Sequence, residues 1–160
     1  MRSRWKPSVT VAAVIERDGR FLLVEEETQL GLQLNNPAGH LEPGETPAQG
    51  CVREVLEEAA HDFVPTALLG VYLAHSHKNS TGEDQSYLRL AFCGELGAHH
   101  AQRKLDEGIV RTVWMTLAEV RESAARHRSP LVLKCIEDYV AGKRLPLEAV
   151  YADPSVLSGH

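Results

Sequence analysis

Cysteine is scarce in this sequence, which has 160 residues and only three cysteines, Cys51, Cys93 and Cys135. The three lie far apart, and none belongs to a CxxC pair. An odd number of widely spaced cysteines argues against a disulfide framework and against a zinc site. We therefore expect three buried, reduced thiols.

Long apolar runs and an excess of positive charge are also missing. No apolar stretch approaches the roughly 20 residues that a membrane span requires, and the N-terminal stretch MRSRWKPS lacks the apolar core of a signal peptide. The formal net charge of −5 disfavours nonspecific binding to nucleic acid or to a membrane surface, but it leaves room for a small basic pocket that holds phosphates. We expect a cytoplasmic protein with no membrane partner and no bulk nucleic acid.

What the chain does have is enough apolar material for one hydrophobic core. Apolar residues make up 43% of the 160 residues, and no internal repeat or low-complexity linker is visible. A chain of this length has no room for a second full domain. We expect a single domain over residues 1–160.

Short runs rich in β-branched and aromatic residues predict the strands. Residues 8–16 and 20–27 flank the dipeptide Asp18-Gly19, which is typical of tight turns, so we expect these two runs to pair as a hairpin. Further strands are predicted at residues 30–36, 67–75, 87–96 and 109–115. The polar segment 77–84 predicts a connecting loop, which is either a mobile connector or part of a substrate cleft.

Capping signals predict where the helices begin. Thr46 is a suitable N-cap, Pro47 fits the first helical position, and Gln49 completes a capping box, so a helix should begin at Pro47. The residues that recur at helical spacing form one apolar stripe, made of Ala48, Cys51, Val52, Val55, Leu56 and Ala59. Thr116 and Glu119 predict a second capped helix.

The final helix is predicted at residues 131–141. Ser129 is its cap, Pro130 occupies its first turn, and Gly142 ends it. A tail then continues to residue 160, so the C-terminal helix and tail together cover 129–160.

The opposite face of the Pro47 helix is acidic. Glu54, Glu57 and Glu58 stand at positions i, i+3 and i+4, so their carboxylates emerge side by side, and Arg53 lies one turn from Glu57. Each like-charge pair costs about 0.2–0.5 kcal/mol on an exposed helix. A solvated face tolerates this cost, whereas a bound divalent cation would turn it into a gain. A ligand set made only of oxygen suits Mg²⁺ or Mn²⁺ better than zinc.

The loop before this helix strengthens the interpretation as a site. Pro37, Ala38, Gly39 and Gly44 allow the backbone to approach a ligand closely. Glu45 lies just before the helix cap, where it can pair with Arg53.

The spacing from residue 39 to residue 61 resembles the signature box of the Nudix hydrolases. Gly39 is followed after five residues by Glu45 and after seven more by the run REVLEE at residues 53–58. The end of the box departs from the family pattern, which usually has glycine at the position of Ala60 and an apolar residue at that of His61. A left-handed conformation at Ala60 would cost about 1–2 kcal/mol.

Sequence segments near both ends of the chain resemble the NudJ-type phosphatase branch of that family. They are KPSVTVAAVIERDGRFLLVEEE and NNPAGHLEPGET near the front, and RSPLVLKCIEDYVAGKRLPLE near the end. The resemblance implies an α/β/α sandwich with a mixed sheet. It also implies hydrolysis of thiamine-pathway pyrophosphates and of nucleoside di- and triphosphates.

The resemblance also assigns roles around the box. Glu54, Glu57 and Glu58, with the Ala38 carbonyl, would bind Mg²⁺. Glu45 and Arg53 would brace the loop against the helix, which supports catalysis from a second layer of contacts.

The family often recruits a further carboxylate from a later region to bind metal or activate water. Asp106 and Glu107 are the candidates just before the last strand, with Glu57 on the helix as a third candidate for activating water. We favour Glu107 over Asp106 because its side chain is longer. The alternative is that both are exposed loop carboxylates.

Three residues are candidates for contacting the substrate. Trp5 would stack on a substrate ring with Lys6 near phosphate, or the pair would be an aromatic at the sheet edge beside a solvated lysine. Arg89 lies in the apolar run YLRLAF and is either an inward-facing phosphate clamp or an ordinary strand residue.

Three functions are open on the sequence alone. The first is Mg²⁺-dependent hydrolysis of the pyrophosphate linkage of a small phosphorylated metabolite, by a monomer or homodimer. The second is a Nudix hydrolase of nucleotide sugars, ADP-ribose or RNA caps. The third is a non-catalytic ligand-binding module, which the intact set of carboxylates disfavours.

Overall fold

The chain folds into eight strands and four helices in a computed structural model that describes residues 3–76 and 85–158. The strands are β1 (Ser8–Val14), β2 (Glu16–Arg17), β3 (Arg20–Thr28), β4 (Gly31–Asn35), β5 (Ala38–His40), β6 (His61–Ser76), β7 (Gln85–His99) and β8 (Ile109–Thr116). The helices are α1 (Pro47–Ala59), α2 (Leu117–Glu122), α3 (Leu131–Val140) and α4 (Ser155–Ser158). The predicted loop 77–84 lies outside the described residues.

The strands form two sheets. The first has the order β5-β1-β7-β6, in which β1 runs parallel to β7 while the β5–β1 and β7–β6 pairs are antiparallel. In the second sheet, β3 is the central strand and pairs antiparallel with β2, β4 and β8. The expected α/β class with a mixed sheet is therefore confirmed.

Helices cover both faces of this strand layer. Val11 and Ala13 of β1 and the following Ile15 pack with the apolar stripe of α1, whereas the intervening Val14 packs with α2 and α3. This alternation follows from the two-residue period of a strand. The result is an α/β/α arrangement with one apolar cluster on each face.

The predicted hairpin between residues 8–16 and 20–27 is wrong for most of its length. Asp18 and Gly19 do form a tight turn with positive φ values of 52° and 77°, but only β2 pairs with β3 across it. Residues 8–14 leave for the other sheet, where β1 lies between β5 and β7. The run from Val11 to Val14 is almost completely buried, as expected for a strand covered on both faces.

The other predicted elements are found close to their expected positions. The strands predicted at 67–75 and 87–96 are the central parts of β6 and β7, which extend beyond those limits. Both side-chain bonds of the predicted capping box of α2 form between Thr116 and Glu119. The Ser129 Oγ accepts a 2.9 Å bond from the Leu131 amide at the start of α3.

The three cysteines are free and buried, as expected. Among the described residues, no helix is both long enough and apolar enough to cross a membrane. The assignment of residues 1–160 to a single domain stays a prediction.

Candidate metal centre and substrate cavity

Helix α1 begins at Pro47, as predicted from its cap. The Gln49 amide donates to the Thr46 Oγ1 over 3.2 Å, and the Thr46 amide donates to the Gln49 Oε1 over 2.9 Å. These two bonds satisfy amides that the first helical turn leaves free. The cap fixes where the helix starts and therefore which face carries the carboxylates.

Arg53 joins the loop before α1 to the helix. Its Nε and Nη2 donate to the two oxygens of Glu45 over 2.9 and 2.8 Å, and Nη2 also donates to the His40 carbonyl over 3.0 Å. The Glu42 amide donates to Glu45 as well, over 2.8 Å. A two-pronged arginine–carboxylate pair is directional and strong. The pair predicted between Glu45 and Arg53 is confirmed.

The same guanidinium also contacts the acidic face of α1. Arg53 Nη1 donates to Glu54 Oε1 over 2.7 Å and to Glu57 Oε2 over 3.0 Å. Arg53 therefore partly offsets the repulsion between these two carboxylates. Its hydrogen bonds hold the pKa of Glu45 below the ordinary value and raise the pKa of Arg53 itself.

Asp106 completes an acidic group with two helix carboxylates. One oxygen each from Glu54, Glu57 and Asp106 lie within 4.8 Å of one another. The Asp106 amide donates to the Glu57 carbonyl over 3.0 Å, so the loop before β8 is attached directly to α1. Within the described parts of the chain, Glu107 is exposed and does not belong to this group.

Glu54 and Glu58 are buried although both are acids. Burial is the main cause that raises the pKa of Glu54, and it raises the pKa of Glu58 to about 9. Neighbouring carboxylates, among them Glu26 and Asp106, raise the Glu58 pKa further, whereas a 2.9 Å bond from the Ala38 amide lowers it. Buried acids that repel one another are expected where a cation binds.

Two glycines give these side chains the space that they need. A Cβ added at Gly39 would lie 2.2 Å from the Glu54 Oε1, so only glycine fits beside that carboxylate. A Cβ at Gly50 would lie 2.8 Å from the Glu45 Oε1. Sequence reasoning singled out Gly39 but missed Gly50, whose place inside a helix is the signal that was available.

This arrangement fits a magnesium-like cation. The donor atoms are all carboxylate oxygens, they converge from α1 and the loop before β8, and a positive charge would relieve their mutual repulsion. Ala38 contacts Glu58 through its amide, so its position beside the acidic face is as expected. The use of its carbonyl as a ligand stays a prediction.

A cavity of about 440 Å³ reaches the acidic face of α1 at Glu58. Ala38, Gly39 and Glu58 contribute to its lining, and so does Arg89. Of the described residues, Trp5 and Lys6 do not line it, and Trp5 is 66% exposed. The structure thus brings Arg89, but neither Trp5 nor Lys6, to a cavity that reaches the acidic face.

Arg89 is buried and held by two neighbouring amides. Its Nη1 donates to the Asn36 Oδ1 over 2.7 Å, and its Nη2 donates to the Asn35 Oδ1 over 3.0 Å. Sequence reasoning did not connect these two asparagines with Arg89. No local sequence signal links residues more than fifty positions apart.

Ala60 adopts the left-handed conformation that was considered for it, with φ of 54° and ψ of 37°. Its amide donates to the Leu56 carbonyl over 3.0 Å and ends α1 in the manner usual for glycine. His61 then begins β6, and its ring stacks on that of His99 with centroids 4.5 Å apart. The departure from the family pattern at Ala60 therefore keeps a left-handed end of α1 without glycine, and the acidic face stays intact.

The fold is a mixed α/β/α arrangement, and carboxylates from α1 and from the loop before β8 converge on it as an acidic group. The sequence pattern of the NUDIX domain matches residues 4–135, and the chain belongs to the Nudix hydrolase family.

Comparison with individual proteins agrees with this assignment. The chain is 34% identical over 146 residues to the phosphatase NudJ of Escherichia coli K12. The matched residues make up 91% of this chain and 92% of that protein. The solved structure of a NUDIX hydrolase from Nitrosomonas europaea is 51% identical in sequence and superposes with a TM-score of 0.86. The aligned region makes up 92% of this chain and 98% of that chain. A MutT NUDIX hydrolase from Burkholderia pseudomallei is only 19% identical but superposes with a TM-score of 0.67, which shows a shared fold. The aligned region makes up 84% of this chain and 98% of that chain.

Proposed function

We propose that this protein hydrolyses the pyrophosphate linkage of small phosphorylated metabolites with the help of Mg²⁺, or of Mn²⁺ in its place. The substrates would be nucleoside di- and triphosphates or thiamine-pathway pyrophosphates. The observation that carries the proposal is the convergence of Glu54, Glu57 and Asp106 within 4.8 Å, on a helix whose Glu58 lines a cavity. The similarity to a protein named phosphatase NudJ agrees with a phosphorylated substrate.

The cation would be held by Glu54, Glu57 and Glu58, with Asp106 and the Ala38 carbonyl as further oxygen ligands. A bound Mg²⁺ would supply positive charge to the pyrophosphate oxygens and to the leaving phosphate. Burial of Glu54 and Glu58 keeps water from competing for their oxygens.

Glu45 and Arg53 would position these ligands. Arg53 has contacts on both sides, with the loop through Glu45 and with the helix through Glu54 and Glu57. Such a brace keeps the carboxylates in one geometry before the substrate arrives.

Asp106 is the stronger candidate for taking a proton from the attacking water. Both acids are exposed, but Asp106 lies within the acidic group and Glu107 does not belong to it. Glu57 remains the alternative, because it lies in the same group. Arg89 would bind the substrate from the cavity wall, and Trp5 and Lys6 carry less weight because they do not belong to the described cavity lining.

The proposal is tested by separating and quantifying the products formed from a substrate panel with Mg²⁺ and with EDTA, because a pyrophosphate that links two organic groups is cleaved without release of free phosphate. The panel contains thiamine pyrophosphate, its pyrimidine pyrophosphate precursor, nucleoside di- and triphosphates, a nucleotide sugar, ADP-ribose and a capped RNA. We expect turnover of the first three classes that EDTA abolishes. Preference for the last three compounds would favour the alternative Nudix activities, and no turnover of any compound would favour a binding module.

Two further parts of the proposal are checked separately. A cytoplasmic location is tested by cell fractionation, and a monomeric or homodimeric state by light scattering. Neither result affects the assignment of the acidic group.

A further inference from the structure

Arg89 is a buried cation without a counter-charge. Only 5% of the residue is exposed, and among the described residues no carboxylate lies within ion-pair distance of it. Its partners are the amide oxygens of Asn35 and Asn36 at 3.0 and 2.7 Å. Burying an unpaired charge destabilises a fold, so such a residue is expected to be kept for a ligand.

The other arginine of the cavity wall differs in this respect. Arg128 is paired with Glu26, which also lines the cavity. Glu58, the remaining carboxylate of the lining, accepts from the Ala38 amide. Of the two arginines in the described lining, Arg89 is therefore the one without a carboxylate partner, and it still has N–H groups to donate, because a guanidinium carries five and the asparagines accept from two of its nitrogens.

The rest of the cavity favours a neutral ring over a second phosphate as the partner of Arg89. The two carboxylates of the lining, Glu26 and Glu58, match its two arginines in number, so a second phosphate meets no excess of arginine charge there, whereas a ring oxygen or nitrogen accepts hydrogen bonds without adding a full charge. Leu30, Pro130 and Leu131 provide apolar surface for the faces of a ring. The volume of about 440 Å³ lies in the range of sites for small organic ligands.

We infer that Arg89 is a specificity-determining residue, which binds the hydrogen-bond acceptors of a planar nitrogen heterocycle on the organic half of the substrate. Asn35 and Asn36 hold its guanidinium in one orientation, so that the remaining N–H groups form a rigid fork. This inference rests on the proposed function, in which the pyrophosphate lies at the acidic face. Arg89 would then contact the ring of the substrate, and not a phosphate as the sequence analysis considered.

The inference is tested by calorimetric titration in the presence of Mg²⁺. The ring-bearing probes are four nucleoside monophosphates and thiamine monophosphate, and the ringless probe is inorganic pyrophosphate. The proteins are the wild type, Arg89→Met and the matched control Arg121→Met, which removes an exposed arginine on α2. We expect Arg89→Met to weaken the best ring-bearing probe about 10–100-fold, the usual range for a hydrogen bond to a charged group. Binding of pyrophosphate should change less than about threefold, and Arg121→Met should change neither.

Asn35→Asp separates ligand binding from a purely structural role of Arg89. The substitution keeps the shape of the side chain and gives Arg89 a carboxylate partner. A structural arginine would then keep its function and its thermal stability. We expect the melting temperature to be held or raised while the ring-bearing probe still loses affinity.

The other outcomes also decide the question. Equal losses for pyrophosphate and for the ring-bearing probes, or no loss in Arg89→Met, would overturn the inference, and so would a wild type that binds none of the ring-bearing probes. If the wild type binds a ring through Arg89 but hydrolyses nothing in the substrate panel, the proposed function fails and the binding role stands.

Discussion

Asp106 reaches the acidic face of α1 because its own backbone is attached there. The bond from its amide to the Glu57 carbonyl places the side chain beside the helix, so the shorter of the two neighbouring acids is the one that joins the group. The preference for Glu107 considered only side-chain length. The backbone position that decides between them depends on a contact across about fifty residues, which no local pattern encodes.

We predict that Asp106→Asn and Glu107→Gln differ sharply in activity. Loss of a general base typically lowers kcat about 10²–10⁴-fold with little change in KM, whereas loss of an exposed loop carboxylate has almost no effect. Asp106→Asn should therefore lose at least about 10²-fold in kcat at saturating Mg²⁺. Glu107→Gln is the matched control and should stay within about twofold of the wild type.

A pH–rate profile completes this comparison. If both variants keep the wild-type kcat and the same acidic limb, the two acids before β8 are bystanders. Glu57 would then remain the candidate base.

Gly39 is required by the neighbouring Glu54 side chain and not by a left-handed backbone, since its φ is not positive. A methyl group at this position would overlap the buried Glu54 carboxylate, whose nearest oxygen would lie 2.2 Å away. We predict that Gly39→Ala lowers kcat/KM by about 10²-fold, because a displacement of about 1 Å in an active site has that effect. Steady-state kinetics at several Mg²⁺ concentrations should also show a higher metal requirement.

Gly70→Ala is a suitable control for this substitution. Its added Cβ would lie 2.9 Å from the Tyr72 hydroxyl, so it also introduces a steric clash, but away from the acidic group. It should lower the melting temperature without changing the Mg²⁺ requirement. An unchanged metal requirement in Gly39→Ala would mean that Glu54 is not a ligand.

At the scale of elements, the helices were more predictable than the pairing of strands. The starts of α1 and α2 depend on capping boxes that span four residues, so the sequence around Thr46 and Thr116 contains the whole signal. The partners of β1 depend on β5 and β7, which are distant in the sequence. A turn signal at Asp18-Gly19 therefore predicted the turn correctly and the main pairing of β1 incorrectly.

The contacts between the loop and α1 predict that substitutions of Glu45 and Glu58 differ in how much activity they remove. Glu45 lies in the loop and contacts Arg53, whereas Glu58 is a buried residue of the acidic face of α1. We expect Glu45→Gln to reduce kcat/KM about 10-fold, the lower end of the range for a supporting residue, and Glu58→Gln to remove most activity. Both variants should stay folded, because neither changes the apolar stripe of α1.

Circular dichroism and Mg²⁺ titrations of activity check this order. Equal losses would place Glu45 among the metal ligands. A fully active, folded Glu58→Gln protein would contradict the assignment of the acidic face altogether.

For the whole molecule, the buried acids of α1 couple folding to pH and to metal. The folded-state pKa of Glu58 is raised to about 9, mainly by burial, above its ordinary value of 4.5. Its contribution to stability is therefore fully present below about pH 4.5 and is lost as the pH rises towards 9, because the folded protein must give up a proton that it binds tightly. Glu54 acts in the same direction, since its pKa is also raised.

Other groups define the range in which this effect can be seen. The pKa values of Glu25 and Glu45 are lowered by arginine partners, so their contributions are lost only as the pH falls below about 4.5. Burial lowers the pKa values of His61 and His127, so their contributions increase with pH up to about 6.5. Burial raises the pKa of the Cys51 thiol, so its contribution to stability falls only when the pH rises to about its ordinary pKa of 9. The range from about pH 7 to 8.5 is therefore governed by the acids of α1.

We predict that the metal-free protein becomes less stable between pH 7 and pH 8.5 and that Mg²⁺ reverses the trend. One group contributes a slope of at most about 1.4 kcal/mol per pH unit, which corresponds to several degrees in the melting temperature of a chain of this size. Mg²⁺ should raise the melting temperature most at the upper end of the range, because it binds the ionised carboxylates and stabilises only the folded state. Differential scanning fluorimetry in EDTA and in Mg²⁺ measures both effects, with Glu58→Gln as the control that should flatten the metal-free trend. A Glu58→Gln protein that shows the wild-type pH dependence and the wild-type response to Mg²⁺ would mean that Glu58 is neither the titrating acid nor a metal ligand.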